Sequence, residues 1–122
     1  MQCPCGSGRK FVECCQPLLE GQSRADSPEQ LMRSRYTAFC TKNWDYLVAT
    51  VDPQKKIEFA NAANKAWMQN MRFTNLEVLT SSVEGNKGFV EFKATYTDGS
   101  QNIIHHEKAK FRKLSGFWYF RP

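Results

Sequence analysis

The spacing of apolar residues changes once along the chain, close to Phe73. Before this residue, apolar side chains recur three and four positions apart, which is typical of helices that bury one face. After it, apolar and polar residues alternate, which is typical of strands that bury one face of a sheet. This order predicts an α+β fold, in which three helices pack on one face of a curved antiparallel sheet.

The first predicted helix has a clear start signal. Ser27 is a candidate N-cap, Pro28 occupies the first helical position, and Gln30 at the third position completes a capping box. The helix should continue to Cys40, and helical spacing brings Arg35 close to its apolar stripe. The lone thiol of Cys40 is expected to be a small buried side chain rather than a nucleophile.

Two more helices are predicted before the sheet. Asn43 is expected to cap a short helix over residues 44–50. Asp52 and the proline that follows it repeat the pattern of a cap and a first-turn proline, and they predict a third helix over residues 54–71. Apolar residues recur at helical spacing in that helix, beginning with Ile57, and they are expected to face the core.

Four strands are predicted, and the turns between them contain glycine. The strands cover residues 73–83, 90–97, 102–113 and 117–120. Because side chains alternate between the two faces of a strand, the third strand should place His105 and Glu107 on the same face as Phe111. His106 should therefore point to the opposite face.

Length and composition describe a chain that can bury a core of its own. The chain has 122 residues, of which 41% are hydrophobic and 13% aromatic, so a packed domain with a small appendage is expected. No apolar run approaches the roughly 20 residues of a membrane span, and no leader sequence precedes the first cysteine. We therefore expect a soluble cytoplasmic protein that has no membrane partner.

The excess of basic residues is mild. The formal net charge is +5, and Lys and Arg are spread along the chain rather than gathered in one tract. This distribution favours an ordinary solvated surface over a nucleic-acid footprint.

Four of the five cysteines lie within the first fifteen residues, as Cys3, Cys5, Cys14 and Cys15. Thiolates are soft ligands that favour Zn²⁺, and four of them make a closed structural site with no open position for a substrate. Two disulfide bonds are the alternative, but the missing leader sequence and the odd total of cysteines favour the metal. We therefore predict one structural Zn²⁺ on these four residues.

The run Cys-Pro-Cys-Gly-Ser-Gly-Arg-Lys-Phe and the pair of cysteines after it resemble the SEC-C motif, the zinc module at the C-terminus of the SecA preprotein translocase. The resemblance predicts a zinc knuckle over residues 1–20. In the translocase the similar module docks an acidic chaperone through its basic surface. The resemblance therefore implies a macromolecular partner, a protein first and a ribosome or nucleic acid second, with Arg9, Lys10 and Phe11 as candidate contacts.

The segment 31–39, the pair His106-Glu107 and the segment 116–119 resemble successive signatures of the YchJ family. Members of this bacterial family join a SEC-C module to a domain similar to nuclear transport factor 2 (NTF2), and the family is functionally uncharacterised. The resemblance implies an NTF2-like cone over residues 26–122, with a pocket between its helices and its sheet.

Glu107 needs a charge partner, because the predicted strand face around it is otherwise apolar. We expect an ion pair between Glu107 and Arg35, with Tyr36 nearby, and we favour a structural role for this pair over catalysis. His105 is the candidate base beside Glu107, although a hydrogen-bonded structural histidine is the favoured interpretation. These four residues are the catalytic candidates, and no catalytic role is assigned.

Three classes of function remain after this reasoning. The favoured one is a zinc-binding adaptor that is not an enzyme, with a knuckle that contacts a protein and a cone that has a small-ligand pocket. The alternative is a small-molecule enzyme of the lyase, isomerase or hydrolase type, with acid and base residues in the cone. In the third, the cone forms a homodimer through its sheet and the pocket is vestigial.

Overall fold

The computed structural model describes residues 1–122. A short 3-10 helix at Phe11–Glu13 comes first and is followed by five helices: α1 (Gln16–Leu19), α2 (Pro28–Thr41), α3 (Trp44–Ala49), α4 (Lys56–Phe59) and α5 (Ala62–Asn70). Four strands complete the chain: β1 (Arg72–Glu84), β2 (Lys87–Thr97), β3 (Asn102–Leu114) and β4 (Phe117–Arg121). They form one antiparallel sheet in the order β1-β2-β3-β4, so the predicted α+β arrangement is confirmed.

The N-cap predicted at Ser27 for helix α2 is confirmed, whereas the reciprocal bond of the capping box goes to the N–H of Asp26, one residue before the N-cap. The hydroxyl oxygen of Ser27 accepts a hydrogen bond from the backbone N–H of Gln30 at 3.1 Å, and the side-chain oxygen of Gln30 accepts one from the N–H of Asp26 at 2.7 Å. These bonds satisfy N–H groups that have no partner inside the helix. The helix ends where Lys42 adopts a left-handed conformation with φ of 61°.

The prediction of a single helix over residues 54–71 is wrong. The segment forms two helices, α4 and α5, because asparagine side chains interrupt the helical backbone between them. The side-chain oxygen of Asn61 accepts from the N–H of Asn64 at 2.8 Å and caps α5. The side-chain amides of Asn61 and Asn64 donate to the carbonyls of Glu58 and Phe59, which lie at the end of α4. Asparagine competes in this way with helical backbone bonds. Ile57, predicted to face the core, is 92% exposed.

The alternation predicted for the sheet is confirmed in β2 and β3. Val90, Phe92 and Ala94 of β2 are buried, and so are Ala109 and Phe111 of β3, while the residues between them are more exposed. These buried side chains face helix α2, which packs against β1, β2 and β4. Strand β1 contributes much less, because only one of its residues is buried.

The main core includes sulfur atoms of the N-terminal segment. Cys3, Cys5 and Cys15 belong to the same buried cluster as Tyr36 of α2 and Leu76 of β1. The knuckle therefore packs against the cone and shares its core. The division of the chain into a knuckle at residues 1–20 and a cone at residues 26–122 stays a prediction. None of the five helices has the length and apolar character needed to cross a lipid bilayer.

Candidate metal centre and cone cavity

The four N-terminal cysteines converge on one point. Their Sγ atoms all lie within 4.8 Å of one another, with 3.7 Å between Cys5 and Cys14 and 3.9 Å between Cys14 and Cys15. A tetrahedral Zn²⁺ bound by sulfur at about 2.3 Å requires sulfur atoms about 3.8 Å apart. The donor set and its spacing therefore fit a four-thiolate metal centre, and the four cysteines are free thiols rather than disulfides.

The backbone of the knuckle is folded back on itself so that the two cysteine pairs face each other. The N–H of Cys3 donates to the carbonyl of Arg9 at 2.9 Å, and the N–H of Gly6 donates to the carbonyl of Cys3 at 3.3 Å. Gly6 has φ of 78°, and a Cβ atom at this position would lie 3.3 Å from the carbonyl oxygen of Leu76. Glycine is therefore required here both by the turn and by the close approach of strand β1.

Helix α2 supplies polar contacts to the sulfur cluster. The fully buried hydroxyl of Thr37 lies 3.4 Å from Sγ of Cys15 and 3.6 Å from Sγ of Cys3. One turn earlier, Nη1 of Arg33 donates to the carbonyl of Cys5 at 2.7 Å. Outer contacts of this kind orient metal ligands. Neither Arg33 nor Thr37 was predicted as a site residue, and their spacing of four along one helix face is the only signal in the sequence that could have indicated them.

Interactions within the cysteine cluster shift the pKa values of its thiols in opposite directions. The neighbouring thiol of Cys15 lowers the pKa of Cys5 to about 4, and the same interaction raises the pKa of Cys15. Burial raises the pKa of Cys14, although its sulfur lies 3.2 Å from the hydroxyl of Ser7. One sulfur of the cluster is thus predisposed to be a thiolate, which is the form that binds a metal.

The candidate partner contacts of the knuckle differ in their exposure. Arg9 and Lys10 are exposed, and Nη2 of Arg9 donates to the carbonyl of Glu13 at 2.7 Å. Phe11 is half-buried and packs against the main core, whereas the adjacent Val12 is 61% exposed. The aromatic ring thus anchors the knuckle, and Val12 presents the apolar surface next to the basic pair.

A cavity of about 270 Å³ lies between helix α2, helices α4 and α5, and the inner face of the sheet. We call it the cone cavity. Ten of its thirteen lining residues are hydrophobic, and the polar ones are Arg35, His105 and Glu107. The aromatic part of its wall consists of Tyr36, Phe39, Phe59, Trp67, Phe73, Phe92, Tyr96 and Phe120. The four catalytic candidates of the sequence analysis therefore all line one cavity.

The ion pair expected between Arg35 and Glu107 is absent. Nη1 of Arg35 donates instead to the carbonyl of Leu47 at 2.7 Å and to the hydroxyl of Thr50 at 2.6 Å, both in the α3 segment. Its guanidinium lies over the ring of Phe120, 4.5 Å from the centroid. Burial lowers the pKa of Arg35 to about 9. The expectation failed because α3 returns along α2 and offers oxygen acceptors that strand patterns do not reveal.

Glu107 is paired with its own strand neighbour. Nε2 of His105 lies 2.7 Å from Oε1 of Glu107, and the ring of His105 contacts Phe92 in the facing strand. His106 points to the opposite face of the sheet, as expected, where its Nε2 lies 2.8 Å from a carboxylate oxygen of Glu91. The His105–Glu107 pair can exchange a proton at the edge of the cavity, and both side chains are about half exposed.

Tyr36 and Cys40 are neighbours on helix α2. Burial raises the pKa of the Tyr36 hydroxyl, and the adjacent thiol of Cys40 adds to this effect. Burial also raises the pKa of Cys40, whose side chain packs against the main core. Both groups are therefore neutral at physiological pH, which agrees with a wall-forming role for Tyr36 and a packing role for Cys40.

A buried carboxylate outside the cavity was also misjudged from the sequence. Asp52, predicted to cap a long helix, is fully buried and accepts hydrogen bonds from Arg112 at 2.6 and 2.7 Å and from Arg121 at 2.8 Å. It also accepts a bond from the N–H of Gln54 at 3.0 Å, which forms a turn rather than a helix start. Asp52 thus ties the segment after α3 to strands β3 and β4.

Comparison with protein families gives two matches that together cover most of the chain. Residues 2–17 match the SEC-C motif, and residues 27–122 match the family described as YchJ, middle NTF2-like domain. Two similar proteins of known sequence are UPF0225 protein GSU1048 from Geobacter sulfurreducens and UPF0225 protein SG1365 from Sodalis glossinidius. They are 40% and 36% identical over 97% of this chain, which spans 75% and 79% of their own lengths.

Two solved structures share the whole arrangement. The solution structure of RPA3114, a SEC-C motif containing protein from Rhodopseudomonas palustris, is 46% identical, with a TM-score of 0.93 over 100% of this chain and 96% of that chain. The crystal structure of a SEC-C motif containing protein from Psychrobacter arcticus is 29% identical, with a TM-score of 0.86 over 98% of this chain and 80% of that chain.

Proposed function

The chain belongs to the YchJ family, which joins a SEC-C motif to an NTF2-like domain, and we propose that it is a zinc-stabilised binding protein rather than an enzyme. In this proposal Cys3, Cys5, Cys14 and Cys15 hold one structural Zn²⁺. The knuckle then presents Arg9 and Lys10 to an acidic protein surface. The observation that carries the proposal is the convergence of four sulfur atoms at tetrahedral spacing.

Four thiolates saturate a tetrahedral ion, so a metal held here is a structural element. Its binding energy would then stabilise the knuckle, whose short helices are too small to be stable on their own. The surface that the metal holds in place has an uncompensated positive charge, because neither Arg9 nor Lys10 forms an ion pair with an acidic side chain. The exposed Val12 beside them adds an apolar contact. These features suit an acidic polypeptide that also carries apolar residues.

Metal analysis of protein purified without chelator tests the zinc centre. We expect about one zinc per chain, and we expect the metal to be lost from Cys5→Ser, because three thiolates bind Zn²⁺ far more weakly than four. Cys40→Ser is the matched control, since this thiol lies outside the cluster, and it should keep its zinc. A zinc content far below one in the unmodified protein, or equal contents in the two variants, would contradict the proposal.

Binding of labelled poly-L-glutamate, followed by fluorescence anisotropy, tests the docking surface. The double variant Arg9→Glu and Lys10→Glu should weaken binding by about tenfold or more, because two attractive charges become repulsive. The double variant Lys87→Glu and Lys110→Glu makes the same change at two exposed lysines of the sheet and should have a much smaller effect. Equal losses in the two variants would show that only net charge matters. Tighter binding of single-stranded RNA, with the same dependence on Arg9 and Lys10, would favour a nucleic-acid partner instead.

A further inference from the structure

The cone cavity contains a buried cation that has no carboxylate partner in the protein. Arg35 is only 3% exposed, and no carboxylate oxygen lies within 4.0 Å of its guanidinium. A guanidinium has five N–H donors, and the two hydrogen bonds of Arg35 both come from Nη1. The Nε–H and Nη2 donors make no hydrogen bond to the protein. These donors belong to a side chain that lines the cavity.

An unpaired charge in such a place is unfavourable unless something compensates for it. Removing a guanidinium from water costs several kcal/mol, and buried charges in proteins are normally paired. The only carboxylate that lines the cavity, Glu107, is already bound to His105 at 2.7 Å. The lowered pKa of Arg35 has burial as its main cause, with Tyr46 as the one ionisable neighbour that acts on it. The chain thus supplies no carboxylate to Arg35, and an anion that enters the cavity would be its only negatively charged partner.

We infer that the cone cavity binds a small organic monoanion, with its carboxylate against Arg35 and an aromatic or branched apolar body against the aromatic wall. This ligand site is separate from the zinc knuckle and does not depend on the docking function proposed for it. Thr37, which hydrogen-bonds to the sulfur cluster, and Arg33, which hydrogen-bonds to the carbonyl of Cys5, do not line the cavity.

The size and lining of the cavity define the ligand class. Ligand pockets commonly enclose about 300–1,000 Å³, so a cavity of about 270 Å³ suits a compound with a single ring. Rings of Phe39, Trp67 and Phe73 meet at angles of 42° to 86°, from tilted to edge-on, and aromatic ligands also adopt such geometries. A polyanion such as a nucleotide would find only Arg35 as a fixed cation here, so its further charges would have no partner. A planar carboxylate matches the paired donors of a guanidinium.

Titration with benzoate and benzamide, followed by calorimetry, tests the inference. The two compounds have nearly the same shape, but only benzoate carries a charge. We expect benzoate to bind the unmodified protein about tenfold or more tightly than benzamide, because a charge-assisted pair with a buried guanidinium is stronger than a neutral hydrogen bond. Arg35→Met replaces the guanidinium with an unbranched apolar side chain. In this variant the ratio of benzoate affinity to benzamide affinity should fall close to one, while benzamide binding is retained.

A second variant keeps the test decisive if Arg35→Met does not fold. Ala94 is buried on the cavity wall, so Ala94→Leu fills the cavity and leaves Arg35 in place. It should abolish binding of both compounds. The double variant Arg9→Glu and Lys10→Glu should leave benzoate affinity unchanged, which separates this site from the docking surface. Equal affinities of benzoate and benzamide for the unmodified protein, absence of benzoate binding, or undiminished binding by Ala94→Leu would each overturn the inference.

Discussion

Asp52→Asn should destabilise the folded chain by about 3 kcal/mol at neutral pH. The Asp52 carboxylate is fully buried and accepts three hydrogen bonds from Arg112 and Arg121, at 2.6 to 2.8 Å. Its backbone N–H donates to the carbonyl of Phe120 at 2.8 Å, so the carboxylate lies at the point where the segment after α3 joins strand β4. An asparagine keeps the shape of the side chain and removes the charge that both guanidinium groups require.

The expected loss of stability follows from the pKa of the Asp52 carboxyl group. Burial raises the pKa of Asp52, but the hydrogen bonds from Arg112, the Gln54 N–H and Arg121 outweigh this effect and hold the pKa at about 2, compared with an ordinary value of 3.8. At about 1.4 kcal/mol per pKa unit, the difference corresponds to roughly 2 kcal/mol of stability. The two arginine side chains are 28% and 35% exposed and can recruit water, so the further penalty for leaving them unpaired is small. The total is therefore near the lower end of the roughly 3–5 kcal/mol typical of broken buried pairs.

Urea unfolding of both proteins between pH 7 and pH 2, followed by circular dichroism, measures this difference. Because the folded pKa is depressed, the contribution of Asp52 is fully present above the unfolded pKa of about 4 and is lost as the pH falls through about 2. The stability gap between the two proteins should therefore close in that window, and any release of metal in acid affects both alike. Asp26→Asn, at an exposed carboxylate, should change stability by no more than about 0.5 kcal/mol. A gap below about 1 kcal/mol at pH 7, or one that persists unchanged at pH 2, would refute the reasoning.

Three further substitutions test the packing around the knuckle and the helices. Gly88→Ala should lower the free energy of unfolding by about 2 kcal/mol in urea titrations, because its Cβ atom would lie 2.3 Å from Cγ of Pro28. Thr37→Val should increase the rate of zinc transfer to a colorimetric chelator by about tenfold, since it removes the hydroxyl beside two sulfur atoms, while Thr37→Ser should keep the original rate. Asn61→Ala should destabilise the fold by about 1 kcal/mol in thermal melts, through loss of the α5 cap. Unchanged values in these assays would contradict the contacts described.

The features that could be predicted from the sequence depend on neighbours in the chain. The start of α2 follows from Ser27, Pro28 and Gln30, whose side chains act within one helical turn. The opposite orientations of His105 and His106 follow from the pleat of a single strand. The convergence of the four cysteines could be predicted because their spacing in a short glycine-containing loop leaves few other arrangements.

The features that could not be predicted depend on residues distant in the chain. Arg35 was expected to find the nearest carboxylate in the facing sheet, yet two oxygen atoms of the α3 segment, twelve and fifteen residues later in the chain, are closer. Asp52 has the local signature of a helix cap, but its partners lie sixty and sixty-nine residues away. In both cases the hydrogen-bond partners are set by tertiary contacts between separate elements, and the local spacing of residues does not reveal these contacts.

Helix α2 explains why the knuckle and the cone form one unit. Arg33 and Thr37 lie one turn apart on the face that contacts the knuckle, whereas Arg35 and Phe39 lie on the opposite face and line the cavity. Eight of the fourteen residues of this helix are buried, because the sheet, helix α3 and the knuckle pack on different sides of it. A metal that holds the knuckle in place would therefore also support the helix that forms one wall of the cone cavity. The two sites share no residue, yet the proposed zinc centre can be structural and still affect ligand binding through this helix.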